Sequence, residues 1–66
     1  MNLSESVKKL RTAKGMTQEE LAEAVGVQTS MLGHIERSTK IPSLAVALKL
    51  GEVLECTVHE MCKGVA

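Results

Sequence analysis

The sequence predicts an all-α domain built from five short helices, and three observations predict it. Apolar residues recur at helical spacing and nowhere alternate as a half-buried strand would require. Capping signals return every ten to fifteen residues, and Asn2, Thr17 and Thr57 are each followed three places later by Glu. At 66 residues the chain can enclose only one modest core, hiding about 60% of the surface its unfolded form exposes.

Asn2 with Glu5 opens a first helix over residues 3–14, where Leu3, Val7 and Leu10 fall at i, i+4 and i+7 and Gly15 supplies the stop. Thr17 with Glu20 is a cleaner capping box for a second helix over 18–25, ended by Gly26. Leu21, Ala22, Ala24 and Val25 share one half of that cylinder, and Glu19, Glu20 and Glu23 take the other. A third helix covers 29–37. Ser43, just after Pro42, caps a fourth over 44–55, with Leu44, Ala47, Leu48, Leu50, Gly51 and Leu54 as its core-facing sector. Glu55 stands where glycine would end a helix more easily, so a mildly strained or irregular end is expected there. Thr57 with Glu60 opens a last helix over 58–62.

Composition narrows the functional classes. Hydrophobic residues at 44% and charged ones at 24% suit a folded globular chain. Without Phe, Tyr or Trp, no platform can stack bases on aromatic rings, which excludes most single-strand and RNA readers. No uncharged run approaches the roughly 20 residues of a membrane helix, and residues 1–5 lack the order of a signal peptide, so a cytoplasmic location is expected. Cys56 and Cys62 match neither a Cys-x-x-Cys motif nor zinc spacing, and are expected as reduced thiols with Cys56 in the core. Cys56 with His59 has no accompanying nucleophile turn or oxyanion donors, and His34 has no second metal ligand at helical spacing. The expectation is a binding protein without catalysis, cofactor, metal or small-molecule ligand.

The informative stretch runs from residue 18 to 37. Gln18, Ala22, Gly26, Leu32 and Ile35 take relative positions 1, 5, 9, 15 and 18 of a twenty-residue unit. Ala22 is small where the next helix crosses it, Gly26 permits a tight left-handed turn, and Val25, Leu32 and Ile35 fill the wedge. This is a helix-turn-helix formed by the second and third helices. Over about residues 3–62 the chain resembles the phage Cro and lambda-repressor family of DNA-binding domains. The resemblance lies in Thr17-Gln18-Glu19-Glu20-Leu21-Ala22, Gly26-Val27, Ile35-Glu36-Arg37, Ile41-Pro42-Ser43-Leu44 and Lys49-Leu50.

At about 100° per residue, with Thr29 at 0°, Gly33 falls at 40°, Arg37 at 80°, Ser30 at 100° and His34 at 140°. Met31, Ile35 and Leu32 occupy 200° to 300°, so one face of the third helix is apolar and the other short and polar. The resemblance implies that this helix enters the major groove with its N-terminal half foremost. Thr29, Ser30 and His34 are then the expected base readers, with Gly33 allowing close approach. It also implies that Gln18 holds a DNA phosphate, with Arg37, Ser38 and Lys40 as a second clamp. Gln28 departs from the family's small capping residue: either Thr29 caps instead, or Gln28 itself reaches a phosphate or a base. An ion pair between Arg11 and Glu36, bridging the first and third helices, is implied in the same way.

Eight basic and eight acidic residues leave zero net charge, distributed as +3 over residues 1–15 and −3 over 16–37. A neutral domain lacks a broad positive field, so weak non-specific affinity and reliance on a specific site are expected. The expected function is a transcriptional regulator that binds double-stranded DNA at a specific sequence, as a homodimer on a palindromic operator. Val46 and Val53 beside Lys49, with the segment from Val58 through Cys62 to Val65, are the expected two-fold surface, unless the last helix of the same chain covers the valines. Neutrality and the Glu19, Glu20, Glu23 cluster favour a second reading, a protein-binding helix-turn-helix such as an antitoxin or regulatory partner.

Overall fold

The computed structural model describes residues 3–56, which form α1 (Leu3–Ala13), α2 (Gln18–Val25), α3 (Thr29–Glu36) and α4 (Leu44–Leu54). The expected fifth helix, together with His59, Val58, Cys62 and Val65, lies outside the described residues. No strand occurs among the described residues, and no helix there is long and apolar enough to cross a membrane.

The helix ends follow local chemistry. Thr17 Oγ1 accepts from Glu20 N–H at 3.1 Å and Thr17 N–H donates to Glu20 Oε1 at 2.9 Å, which completes the capping box expected from the sequence. Gly26 closes α2 in the left-handed region, at φ 87°, and returns its N–H to Ala22 O at 2.8 Å. Ser43 Oγ accepts from Val46 N–H at 3.2 Å and starts α4. Helices α1, α3 and α4 each stop one residue short of the expected end. After α3 and α4 the cause is a left-handed non-glycine residue close by, Ser38 at φ 62° and Glu55 at φ 57°.

Glu55 bears out the strain expected at that position. A side chain there is disfavoured by about 1–2 kcal/mol, partly offset by an exposed Lys14–Glu55 ion pair at 3.4 Å. Glu55→Gly is therefore expected to raise stability by about 0.5–1 kcal/mol, since glycine relieves the strain but loses more chain entropy on folding. A thermal melt of the two proteins measures it; a lower midpoint for the glycine variant would contradict the strain.

Val7, Leu21, Ala22, Val25, Leu32, Leu50 and Leu54 form one core drawn from all four helices. Ile35 is equally buried. Helix α2 packs on α3 and α4, and α1 closes the other side of the same pair. Leu3, Leu10, Met16, Val27 and Cys56 seal the edge, so Cys56 is a free thiol packed against the core as expected.

The expected face of α4 needs correction. Ala47, Leu50 and Leu54 are buried, but Leu44 is 73% and Leu48 55% exposed. Val46 and Val53, expected on an outer dimer face, pack against the core edge instead. Only Lys49, Gly51 and Glu52 interrupt the apolar residues of α4, so its pattern leaves the rotation free. Packing chose a sector about one residue step away from the expected one. Ala24, expected on the apolar half of α2, is likewise exposed.

Candidate nucleic-acid interface

Helix α3 is held from behind by Leu32 and Ile35, both completely buried. Thr29 and Ser30 are exposed and His34 is half-buried, so the polar side chains expected to read bases share the outer side of this helix. Gln28 occupies the N-cap position with extended backbone and makes no side-chain capping bond. Thr29 is the first helical residue, so capping by Thr29 is ruled out and the Gln28 side chain remains exposed.

Gly33 has a side chain of its own helix end beside it. It is buried, and a Cβ there would lie 3.1 Å from Arg37 Nη1, because the Arg37 guanidinium folds back over the bare backbone. The close approach at Gly33 is thus made by this chain's own arginine. Arg37, expected from the sequence as part of a phosphate clamp with Ser38 and Lys40, lies with its guanidinium against Gly33 of α3. Ser38 and Lys40 are exposed in the turn that follows.

That turn curls back on α3. The N–H groups of Thr39 and Lys40 donate to His34 O at 3.0 and 3.4 Å, and Thr39 Oγ1 lies 2.8 Å from His34 Nδ1. Thr39 was absent from the sequence-derived site. Its only signal was a hydroxyl five residues after a histidine, and the contact depends on the left-handed Ser38 between them.

At the other end of the motif, Glu36 ties three helices together. Arg11 Nε donates to Glu36 Oε2 at 2.7 Å, and Arg11 Nη2 to Oε1 at 3.1 Å. Gln18 Nε2 adds a third bond to Oε1 at 3.1 Å, and Arg11 Nη1 donates to Met16 O at 2.9 Å. The carboxylate side chain is only 3% exposed, which makes these donors necessary. The hydrogen bond to Glu36 raises the Arg11 pKa above its ordinary value; burial opposes this and the charge of Glu36 adds to it. Gln18 therefore has a structural partner that the sequence did not announce. Its amide nitrogen bears two hydrogens, so one remains for an anion at the start of α2. Glu19 and Glu20 are exposed in the same first turn and set a limit on how negative a partner can approach there.

Comparison with known proteins agrees with the fold. Residues 7–61 match the family described as helix-turn-helix. The chain is 38% identical over 55 residues to YazB of Bacillus subtilis, an uncharacterized HTH-type transcriptional regulator, covering 83% of this chain and 80% of YazB. The structure of SinR, a master regulator for biofilm formation, in complex with DNA superposes with a TM-score of 0.83 at 37% identity, covering 89% of this chain and 95% of that one. The P22 c2 repressor in complex with a synthetic operator gives 0.92 at 26% identity, covering 98% of each chain.

Proposed function

The chain belongs to the helix-turn-helix family of DNA-binding transcriptional regulators, and from that premise we propose that it reads the major groove of a specific duplex site with α3. The observation that carries the reading is the two-sided build of α3: Leu32 and Ile35 lock it onto the core while Thr29, Ser30 and His34 stand on the opposite side. Short hydroxyls and an imidazole on a supported helix suit base edges, which offer distinct donor and acceptor patterns in that groove. Gln28 and Arg37 flank these readers. Gln18 through its second amide hydrogen, with Ser38 and Lys40 in the turn, would hold the backbone of the duplex.

The protein acts in the cytoplasm as a homodimer in this proposal. Exposed Ile41, Leu44 and Leu48 support pairing of two chains, a surface that replaces the one expected around Val46 and Val53. Lys49 and the segment carrying Val58, Cys62 and Val65 remain candidates for its border. Two copies would set their α3 helices about 34 Å apart, one turn of DNA.

Selection from a randomised duplex pool tests the proposal. A palindrome with half-sites one helical turn apart should be enriched, bound by two chains in sedimentation. With about three to five phosphate contacts per subunit, log affinity should fall against log salt with a slope near −0.9 per contact. The acidic side of α2, with Glu19, Glu20 and Glu23 all exposed, favours the second reading, a protein partner. Enrichment of no sequence, together with a stoichiometric protein complex, would decide for that reading.

A further inference from the structure

The turn after α3 places one hydroxyl against two groups of the same histidine. Thr39 Oγ1 is 2.8 Å from His34 Nδ1 and 3.1 Å from His34 O. A hydroxyl has a single hydrogen to give. When it is given to the carbonyl, Nδ1 must supply the hydrogen of the shorter contact, and both contacts are hydrogen bonds. When it is given to Nδ1, two oxygens face each other at 3.1 Å with no hydrogen between them. The Thr39 and Lys40 N–H groups also donate to His34 O, at 3.0 and 3.4 Å, which holds the turn against the histidine. The hydrogen bond made by one ring nitrogen decides the state of the other. This arrangement favours a neutral ring with Nδ1 protonated and with Nε2, which has no partner among the described residues, as a bare acceptor.

We infer that Thr39 is a positioning residue for base recognition: it holds His34 in the Nδ1–H tautomer, so that Nε2 accepts a hydrogen bond from an amino-bearing base, adenine or cytosine. The inference deepens the reading of His34 as a base reader and rests on it. In the major groove only the N6 amino group of adenine and the N4 amino group of cytosine donate; guanine and thymine offer acceptors at those edges. An acceptor held outward prefers the first pair and repels the second. Thr39→Val keeps the shape and removes the hydroxyl, which frees the ring to place its hydrogen on Nε2 and donate it to guanine or thymine. Thr39→Ser keeps the hydroxyl and should behave as the parent does.

Two measurements on the full chain test this. Long-range ¹⁵N spectra of the imidazoles at about pH 8.5, where an ordinary imidazole is neutral, report the tautomer without DNA. The His34 signals are those lost in His34→Gln. The parent and Thr39→Ser should show Nδ1–H, and Thr39→Val a mixture. Duplex selection should then give adenine or cytosine at one position of each half-site for the parent, and a preference weakened roughly tenfold for Thr39→Val. An Nε2–H ring in the parent overturns the inference while DNA binding stands. So does an unchanged base preference in Thr39→Val. A pool that enriches nothing overturns the functional reading and this inference with it.

Discussion

Arg11→Ala should lower the stability of the free domain by about 3–5 kcal/mol, the loss expected when one partner of a buried ion pair is removed. Its Glu36 partner is 3% exposed and would keep only the Gln18 amide as a donor. Met16 O would lose its bond as well. Lys8→Ala, an exposed change on the same helix, should stay within about 0.5 kcal/mol. For a domain this small each kcal/mol moves the melting midpoint by about 4–8 °C, so the two variants should separate clearly. Replacing both partners, as in Arg11→Met with Glu36→Leu, should recover much of the loss because no charge is then stranded. Equal midpoints for Arg11→Ala and Lys8→Ala would refute the structural role of the pair. The pH dependence follows from the direction of the Arg11 shift. A raised folded pKa contributes stability that is fully present below the unfolded value and lost only as pH rises through the folded one. For a guanidinium that window is strongly alkaline, so the arginine side of the pair holds throughout the neutral range.

Much of this architecture was written in short-range signals. Thr17 with Glu20, Gly26 and Ser43 determine their helix ends through atoms only a few residues away, and each acts in the structure as its sequence context implies. The wedge between α2 and α3 was equally legible, since Ala22, Leu32 and Ile35 fall on facing apolar sides of the two helices and all three are buried. Helix α4 was not legible in rotation, because apolar residues surround most of it and only the other helices select which sector turns inward. Three side-chain contacts were also hidden. Gln18 on Glu36 and Thr39 on His34 depend on a rotamer or a left-handed turn that no spacing rule records; Arg37 and Gly33 are neighbours by their four-residue spacing, but the fold of the guanidinium over the glycine is a rotamer. They change what the site means. Gln18 is half committed to structure, Gly33 makes room for a cation of its own chain, and His34 has a fixed partner.

The functional counterpart of the Arg11 experiment is the paired change Thr29→Ala with His34→Ala. Both side chains lie on the outer side of α3 and outside the core, so the fold should survive with a melting midpoint near that of the parent. Each lost base contact is worth about 1–3 kcal/mol of discrimination, and a dimer presents every contact twice. Four lost contacts cost at least about 4 kcal/mol, so affinity for the selected site should fall by about a thousandfold or more, while affinity for unrelated duplex DNA stays the same. The most direct measurement titrates both proteins against the selected duplex and against single-base variants of each half-site. The account predicts that the paired variant stays folded and loses base preference at the positions that Thr29 and His34 read, while Ser30 keeps its own. A folded variant with the same base preferences as the parent would contradict it.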